Sequence, residues 1–208
     1  MTQNRSTAVM QRRSEPHDSL DDFPTPPWAT RALCEWLKSG DAGRLDLENM
    51  TVREPAANRG HMVRPLAEYF GEVEASDVHD YDVGYRVEDY LFGPAPAVVD
   101  VTITNPPFRL AQQFIARMAM TSSVGFAVLV RAAFLEGMER YRSLYSVNPP
   151  SAVLQFAERV VIHKGRLSEK GSTATAYAWL VWLEDEPATT LHWIAPCRKQ
   201  LERTGDYA

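Results

Sequence analysis

Short apolar segments alternate with amphipathic segments along most of this chain, and this alternation constrains its fold more than any other feature. Seven segments rich in apolar or β-branched residues predict strands, at about residues 50–53, 73–78, 85–87, 98–104, 124–130, 152–163 and 176–183. Helical spacing predicts helices over 61–70, 109–120 and 136–145, and an earlier one that ends at Gly40. This order predicts an α/β fold with a doubly wound sheet of about seven strands. No helix signal separates the last two strands, so we expect them to form an antiparallel pair at one edge.

The length of 208 residues suits one domain with short appendages. Residues 1–22 are polar, of mixed charge and without periodicity, which is typical of a flexible arm. The first helix follows, with Thr25 placed to cap it and Pro26 or Pro27 in its first turn. We therefore expect a single domain over 23–195 and a C-terminal tail over 196–208.

No apolar run approaches the roughly 18 residues of a membrane span, and the N-terminus lacks the apolar stretch of a signal peptide. These features predict a cytoplasmic protein with no membrane partner. The two cysteines, Cys34 and Cys197, lie far apart, and neither they nor the five histidines show metal-binding spacing. We expect no metal site.

Candidate binding residues follow the predicted strands, because ligands of open α/β sheets lie beyond the carboxyl ends of strands. The first strand ends in Glu-Pro-Ala-Ala-Asn-Arg-Gly over residues 54–60. Small residues there let the backbone approach a ligand, although an ordinary strand-to-helix turn looks the same. Asp77 ends the second strand, where a carboxylate can accept hydrogen bonds from both hydroxyls of a ribose. A solvated carboxylate at a strand end is the alternative.

The segment Asn105-Pro106-Pro107-Phe108 follows another apolar strand. The amide oxygen of Asn105 and the carbonyl of Pro106 would make two acceptors that face one site, which suits an NH₂ group. The ring of Phe108 offers a face on which a planar group can stack. A second Asn-Pro-Pro, at 148–150, lacks the aromatic ring and follows a polar segment, so it predicts a connecting turn.

With these motifs, residues 23–183 resemble the S-adenosylmethionine-dependent N6-adenine DNA methyltransferases, particularly the short phage and prophage type. The resemblance implies a class I Rossmann-like fold, S-adenosylmethionine as cofactor and DNA as partner. It implies catalytic roles for Asn105, Pro106, Pro107 and Phe108. It places the cofactor against Thr25, Pro26, Glu54, Pro55, Ala56, Gly60, Asp77, Val78, Asp89, Tyr90 and Asn105.

In that scheme Glu54 and the backbone after it hold the methionyl part of the cofactor, Asp77 the ribose, and Asp89 with Tyr90 or Leu91 the adenine. Asn58 departs from the family, which usually has glycine there, although asparagine tolerates positive φ better than other residues. Only about 25 residues follow the last predicted strand, fewer than the roughly 50 of an independent domain, so we expect no separate target-recognition domain.

Two other functions fit the same motifs. Asn-Pro-Pro followed by an aromatic residue also resembles methyltransferases that act on RNA bases or on a protein glutamine, since each acceptor presents a planar NH₂ group. A non-catalytic relative that keeps the fold is the second alternative.

The net charge of −5 conceals a division along the chain. Residues 41–100 hold 5 basic and 13 acidic side chains, whereas residues 109–170 hold 9 basic and 4 acidic ones. The second region is therefore where a phosphate backbone would pass. Within it we expect nucleic-acid contacts from Arg131, Lys164, Arg166 and Lys170, with a solvated hairpin connection as the alternative for the last three.

Overall fold

The computed structural model describes residues 21–183 and 189–208. Its strands are β1 (Thr51–Glu54), β2 (Glu72–Asp77), β3 (Arg86–Val87), β4 (Val99–Thr104), β5 (Ser122–Arg131), β6 (Ala152–Phe156), β7 (Tyr177–Leu183) and β8 (Thr190–Ile194). Its α-helices are α1 (Pro27–Lys38), α2 (Val63–Leu66), α3 (Ala111–Thr121), α4 (Met138–Arg140) and α5 (Arg198–Leu201). The strands form one sheet in the order β3-β2-β1-β4-β5-β7-β6-β8.

The sheet confirms the predicted α/β class. Strands β3, β2, β1, β4 and β5 pair in parallel, and β7 is antiparallel to both β5 and β6. The predicted antiparallel pair, β6 and β7, therefore exists, but an eighth strand, β8, pairs with β6 in parallel and forms the edge. Sequence analysis missed β8 because it is short and mostly exposed, which leaves little apolar signal.

Two local predictions were wrong. The strand predicted over 152–163 ends at Phe156, although the apolar residues 160–162 remain buried. Thr25 does not cap α1, because the helix begins at Pro27 and Pro26 occupies its N-cap position. The tail predicted over 196–208 contains α5 and packs against α1, where buried Asp206 forms an ion pair with buried Arg31.

The core lies on both faces of the sheet. One cluster joins α1 to the face that carries Trp179, and the other joins α3 to the face that carries Trp182. Both tryptophans are buried, and their placement on opposite faces confirms that they are packing residues. The Trp179 Nε1 donates to the Ala29 carbonyl at 3.0 Å and so fixes α1 to the sheet.

Parallel strands bring the loops after β1, β2, β4 and β5 to the same edge of the sheet. The residues singled out by sequence therefore meet there, and the segment that precedes α1 crosses the same edge. None of the helices in residues 21–183 and 189–208 has the length and apolar character needed to cross a membrane.

Candidate active site

The end of β1 places a carboxyl group inside the protein. The Glu54 side chain is fully buried, and its Oε1 accepts hydrogen bonds from the Thr104 hydroxyl at 2.6 Å and the Ala56 amide at 3.0 Å. The other oxygen, Oε2, is also buried and has no hydrogen-bond partner in the described part of the chain. Burial raises the pKa of Glu54 to about 8, with the two hydrogen bonds opposing the rise and the charge of Asp77 adding to it. A buried acceptor without a partner costs free energy, so this oxygen is suited to a ligand that donates to it.

The loop after β1 turns at two residues with positive φ, Asn58 at 49° and Gly60 at 81°. Asparagine at 58 thus adopts the conformation that glycine would adopt there. A Cβ on Gly60 would overlap the hydroxyl of Tyr85, so the close approach of the β2–β3 connection also requires glycine. No pattern along the chain predicts this contact with Tyr85.

The carboxylate of Asp77 is held at the end of β2. Its Oδ2 accepts from the Asn58 amide at 2.8 Å and its Oδ1 from the His79 amide at 2.9 Å. A carboxylate has about two lone pairs on each oxygen, and each oxygen of Asp77 accepts one of these two hydrogen bonds. One lone pair on each oxygen therefore stays available. Since Asp77 is also partly exposed, it can still accept bonds from both hydroxyls of a ribose.

Residues 21–25, which we call the strap, cross this loop. The Asp22 carboxylate accepts from Asn58 Nδ2 at 2.7 Å and pairs with Arg59 at 3.0 Å. Asp22 is buried and so does not belong to a flexible arm, while residues 1–20 of the arm predicted over 1–22 lie outside the described part of the chain. Sequence analysis missed Asp22 because its partners lie more than 30 positions away.

The strap also orients Asn105, which follows β4. Its Nδ2 donates to the Phe23 carbonyl at 2.9 Å and to the Thr25 hydroxyl at 3.0 Å. Because a carbonyl can only accept, this contact determines which end of the amide is the nitrogen. The other end, Oδ1, is buried and has no hydrogen-bond partner among residues 21–183 and 189–208. The amide is therefore held with a free acceptor directed away from the strap.

The two prolines differ in the use of their carbonyls. The Pro107 carbonyl accepts from the Leu110 amide at 2.8 Å at the start of α3. No hydrogen bond from the described residues reaches the carbonyl of Pro106. Asn105 and Pro106 thus each keep the acceptor that the sequence predicts for an NH₂ group.

Phe108 is half-buried against the core, and its amide donates to the Asp21 carboxylate at 2.7 Å. Its ring lies 5.0 Å from the ring of Phe23. The guanidinium of Arg131, at the end of β5, lies over the Phe108 ring at 4.0 Å. Arg131 therefore reaches the Asn-Pro-Pro-Phe motif itself.

Two cavities meet this region. One, of about 20 Å³, lies between the strap and the loop after β1 and contacts Asn105. It has room for about one water molecule. The other, of about 190 Å³, lies on the other side of the motif. It is lined by Phe108, Ala111, Val130, Arg131, Ala133, Phe134 and Arg140.

His61 lines the smaller cavity and was not among the predicted site residues. Burial, together with the charges of Arg64 and Arg59, lowers the pKa of His61 to about 4. The imidazole is therefore neutral at pH 7 and can offer a hydrogen bond without a charge.

Some predicted residues lie away from the cluster around Glu54 and Asn105. The Tyr90 ring is buried beside Phe114, and its hydroxyl bonds to Thr121, so only its backbone remains for a ligand. Asp89 and Val78 are exposed on the surface. The adenine contacts at 89 and 90 therefore remain a prediction, with Asp89 the only side chain of the pair that a ligand can reach.

The loop between β6 and β7 reaches the strap. The Gly165 amide donates to the Asp22 carbonyl at 2.8 Å, which places the neighbouring Lys164 and Arg166 near the strap. Both side chains are exposed, as is Lys170. The three residues thus remain candidates for phosphate contacts.

Comparison with known proteins identifies the fold. The chain matches no protein-family model, and no curated protein matches it. Among solved structures it is similar to the methyltransferase subunit of a type I restriction-modification system from Streptococcus thermophilus (TM-score 0.61, 10% identity, 83% of this chain). The match spans 47% of that subunit, so this chain corresponds to about half its length.

Two further structures are similar. A protein assigned as an RNA methyltransferase from Pyrococcus horikoshii matches with TM-score 0.59 and 18% identity, over 82% of this chain and 90% of that one. Magnesium protoporphyrin IX methyltransferase from Synechocystis, solved with bound S-adenosylmethionine, matches with TM-score 0.50 and 15% identity, over 74% and 77% of the two chains. The chain shares the fold of class I S-adenosylmethionine-dependent methyltransferases.

Proposed function

We propose that this protein is an S-adenosylmethionine-dependent methyltransferase that methylates the exocyclic N6 of adenine in DNA. The observation that carries the proposal is the amide of Asn105, whose nitrogen is held by the strap and whose buried oxygen meets no partner among the described residues. An acceptor fixed in this way beside a second free acceptor matches the two protons of an aromatic amine.

The cofactor proposal is supported by the fold and by two carboxyl groups. The buried Oε2 of Glu54 would accept a hydrogen bond from the α-ammonium of the methionyl part. Asp77 would accept from the ribose hydroxyls, since each of its oxygens keeps a lone pair. When bound, S-adenosylmethionine supplies a methyl group already activated by the positive sulfur.

The chain's own residues then have two tasks, to activate the amine and to position it. The nitrogen of an aromatic amine is a weak nucleophile because its lone pair is delocalised into the ring. Hydrogen bonds from its two protons to Asn105 Oδ1 and the Pro106 carbonyl favour tetrahedral geometry and localise that lone pair. Holding the reacting atoms in line can supply about 7 to 11 kcal/mol of the barrier. No nucleophilic side chain is required.

The larger cavity is suited to a planar acceptor. Its volume of about 190 Å³ and the rings of Phe108 and Phe134 at its walls favour an aromatic heterocycle over the flexible side chain of a glutamine. In duplex DNA the base would first leave the stack, at a cost of a few kcal/mol. The surrounding arginines and the net positive charge of residues 109–170 support a nucleic-acid partner.

Replacing Asn105 tests the proposal. Purified wild-type protein is incubated with labelled S-adenosylmethionine and either DNA free of N6-methyladenine, RNA or a protein extract, and products are identified by mass spectrometry. We expect N6-methyladenine in DNA, which Asn105→Ala abolishes while S-adenosylhomocysteine still binds.

The second Asn-Pro-Pro segment provides a matched control. Asn148 is exposed, and within the described residues its hydrogen bonds run through its backbone, whose amide donates to the Leu144 carbonyl and whose carbonyl accepts from Trp182, so Asn148→Ala should leave methylation unchanged. Methylated RNA or glutamine without methylated DNA would reassign the acceptor. Cofactor binding with no methylated product in any of the three would identify a non-catalytic relative.

A further inference from the structure

We propose that the guanidinium of Arg131 occupies the place of the acceptor base on the Phe108 ring, and that it leaves this ring when the base binds. The inference rests on the proposed function and deepens it, because it assigns Arg131 a role in admitting the acceptor. It concerns the cavity of about 190 Å³ that Arg131 and Phe108 line together.

The geometry shows which side of the ring Arg131 covers. The guanidinium lies over the Phe108 ring at 4.0 Å, while the same group is 5.8 Å from the Phe23 ring and the two rings are 5.0 Å apart. Seen from the centre of the Phe108 ring, the directions to the Arg131 guanidinium and to the Phe23 ring are nearly perpendicular. The two groups therefore do not lie on opposite faces of the Phe108 ring. Because Phe108 also packs against the core, the side covered by Arg131 is the one that faces the cavity.

A second arginine at the same cavity serves as a comparison. Arg140 lies over the Phe134 ring at 4.4 Å, and its Nη1 donates to the Phe134 carbonyl at 2.6 Å and to the Glu136 carbonyl. Two backbone carbonyls therefore hold Arg140 in place.

Arg131 has weaker attachments than Arg140. It is exposed, and its polar neighbour is the hydroxyl of Tyr177, the residue opposite it on β7. Burial raises the pKa of Tyr177, so this hydroxyl stays neutral and forms no ion pair with Arg131. Of the contacts made within the described residues, those of Arg131 are the weaker, so Arg131 is the arginine that can leave its ring.

Stacking of a base on the Phe108 ring is stronger than the contact of the guanidinium that it replaces. An exposed cation–π contact raises the equilibrium constant for forming that contact by a factor of about two to five. Stacking of a base on an aromatic ring contributes about 5- to 150-fold. The base can therefore displace the guanidinium, and the released charge becomes available to a phosphate of the bound strand.

The test is an NMR titration of the intact protein that follows the Nε–Hε resonances of both arginines. The variant Arg131→Lys assigns the Arg131 resonance, because that resonance disappears from its spectrum. The variant Phe108→Leu gives the chemical shift that Arg131 has when no aromatic ring lies beside it. The probes are S-adenosylhomocysteine and a single-stranded deoxyadenylate decamer. We expect saturating decamer to move the Arg131 signal to the position seen in Phe108→Leu, while the Arg140 signal keeps its ring-shifted position.

Nuclear Overhauser effects between the Arg131 Hδ protons and the Phe108 ring give the same answer without a variant, and they should vanish on saturation. If the decamer saturates while these effects and the Arg131 shift persist, the exchange does not occur and the inference is wrong. If S-adenosylhomocysteine binds but the decamer never does, the proposed nucleic-acid acceptor is itself wrong, and the inference falls with it.

Discussion

Cofactor affinity should depend on pH through the buried carboxyl of Glu54. Burial raises the pKa of this group to about 8, so at pH 6 it is protonated in the ligand-free protein. The α-ammonium of S-adenosylhomocysteine would be paired with the carboxylate form. A proton must therefore leave Glu54 as the ligand binds, and affinity should rise as pH rises toward 8.

The size of the effect follows from one titration. The amino group of the ligand belongs to a free amino acid and stays an ammonium ion at both pH 6 and pH 8, so Glu54 alone changes its charge over this range. The carboxylate fraction of Glu54 is about 1% at pH 6 and about one half at pH 8, so affinity should be about 50-fold weaker at pH 6, which is about 2.3 kcal/mol. About one proton should be released for each ligand bound at pH 6.

Isothermal calorimetry in buffers of different ionisation heat measures both quantities. Two controls isolate Glu54: the variant Glu54→Gln should lose the proton release, and 5′-methylthioadenosine, which lacks the amino-acid part, should bind equally at pH 6 and pH 8. Equal affinity of S-adenosylhomocysteine at the two pH values, without proton release, would refute the assignment of Glu54 to the ammonium.

Three further changes test the fold that supports the site. Gly60→Ala should destabilise the protein by about 1 to 3 kcal/mol in urea unfolding, since the added methyl overlaps the Tyr85 hydroxyl at a positive φ, and unchanged stability would contradict that contact. Arg31→Met should cost about 3 to 5 kcal/mol by leaving the buried carboxylate of Asp206 without its ion pair, and a loss near zero would show that the C-terminal segment is not docked on α1. Trp179→Phe removes the bond to the Ala29 carbonyl and should lower stability by about 1 to 3 kcal/mol, whereas an unaltered melting temperature would exclude that bond.

Much of the architecture follows from local pattern. The alternation of apolar and amphipathic segments identified seven of the eight strands and the α/β class, because side-chain periodicity reports which faces are buried. The same patterns located the motifs at Glu54, Asp77 and Asn105 at strand ends, and a parallel sheet brings strand ends together without further information. The short edge strand β8 was not predicted, because a mostly exposed strand contains few apolar residues and so shows no clear pattern in the sequence.

Local pattern could not determine which side chains from distant segments form hydrogen bonds and ion pairs with one another. Asp22 resembles any residue of a polar arm, yet it is buried and holds Asn58 and Arg59. Thr104 reaches Glu54 only because β4 lies beside β1. Hydrogen bonds of this kind depend on distance in space, and a pattern of neighbours along the chain carries no information about it.

The sequence by itself thus determined the class of fold, the edge of the sheet that holds the site and the residue types available for chemistry there. Only the tertiary structure decided which atoms of those residues remain free. The strap uses the Asn105 nitrogen and leaves its oxygen, and the neighbours of Glu54 use one carboxyl oxygen and leave the other. Free acceptors result from what the surrounding groups leave unpaired, so they emerge only when the segments have packed together.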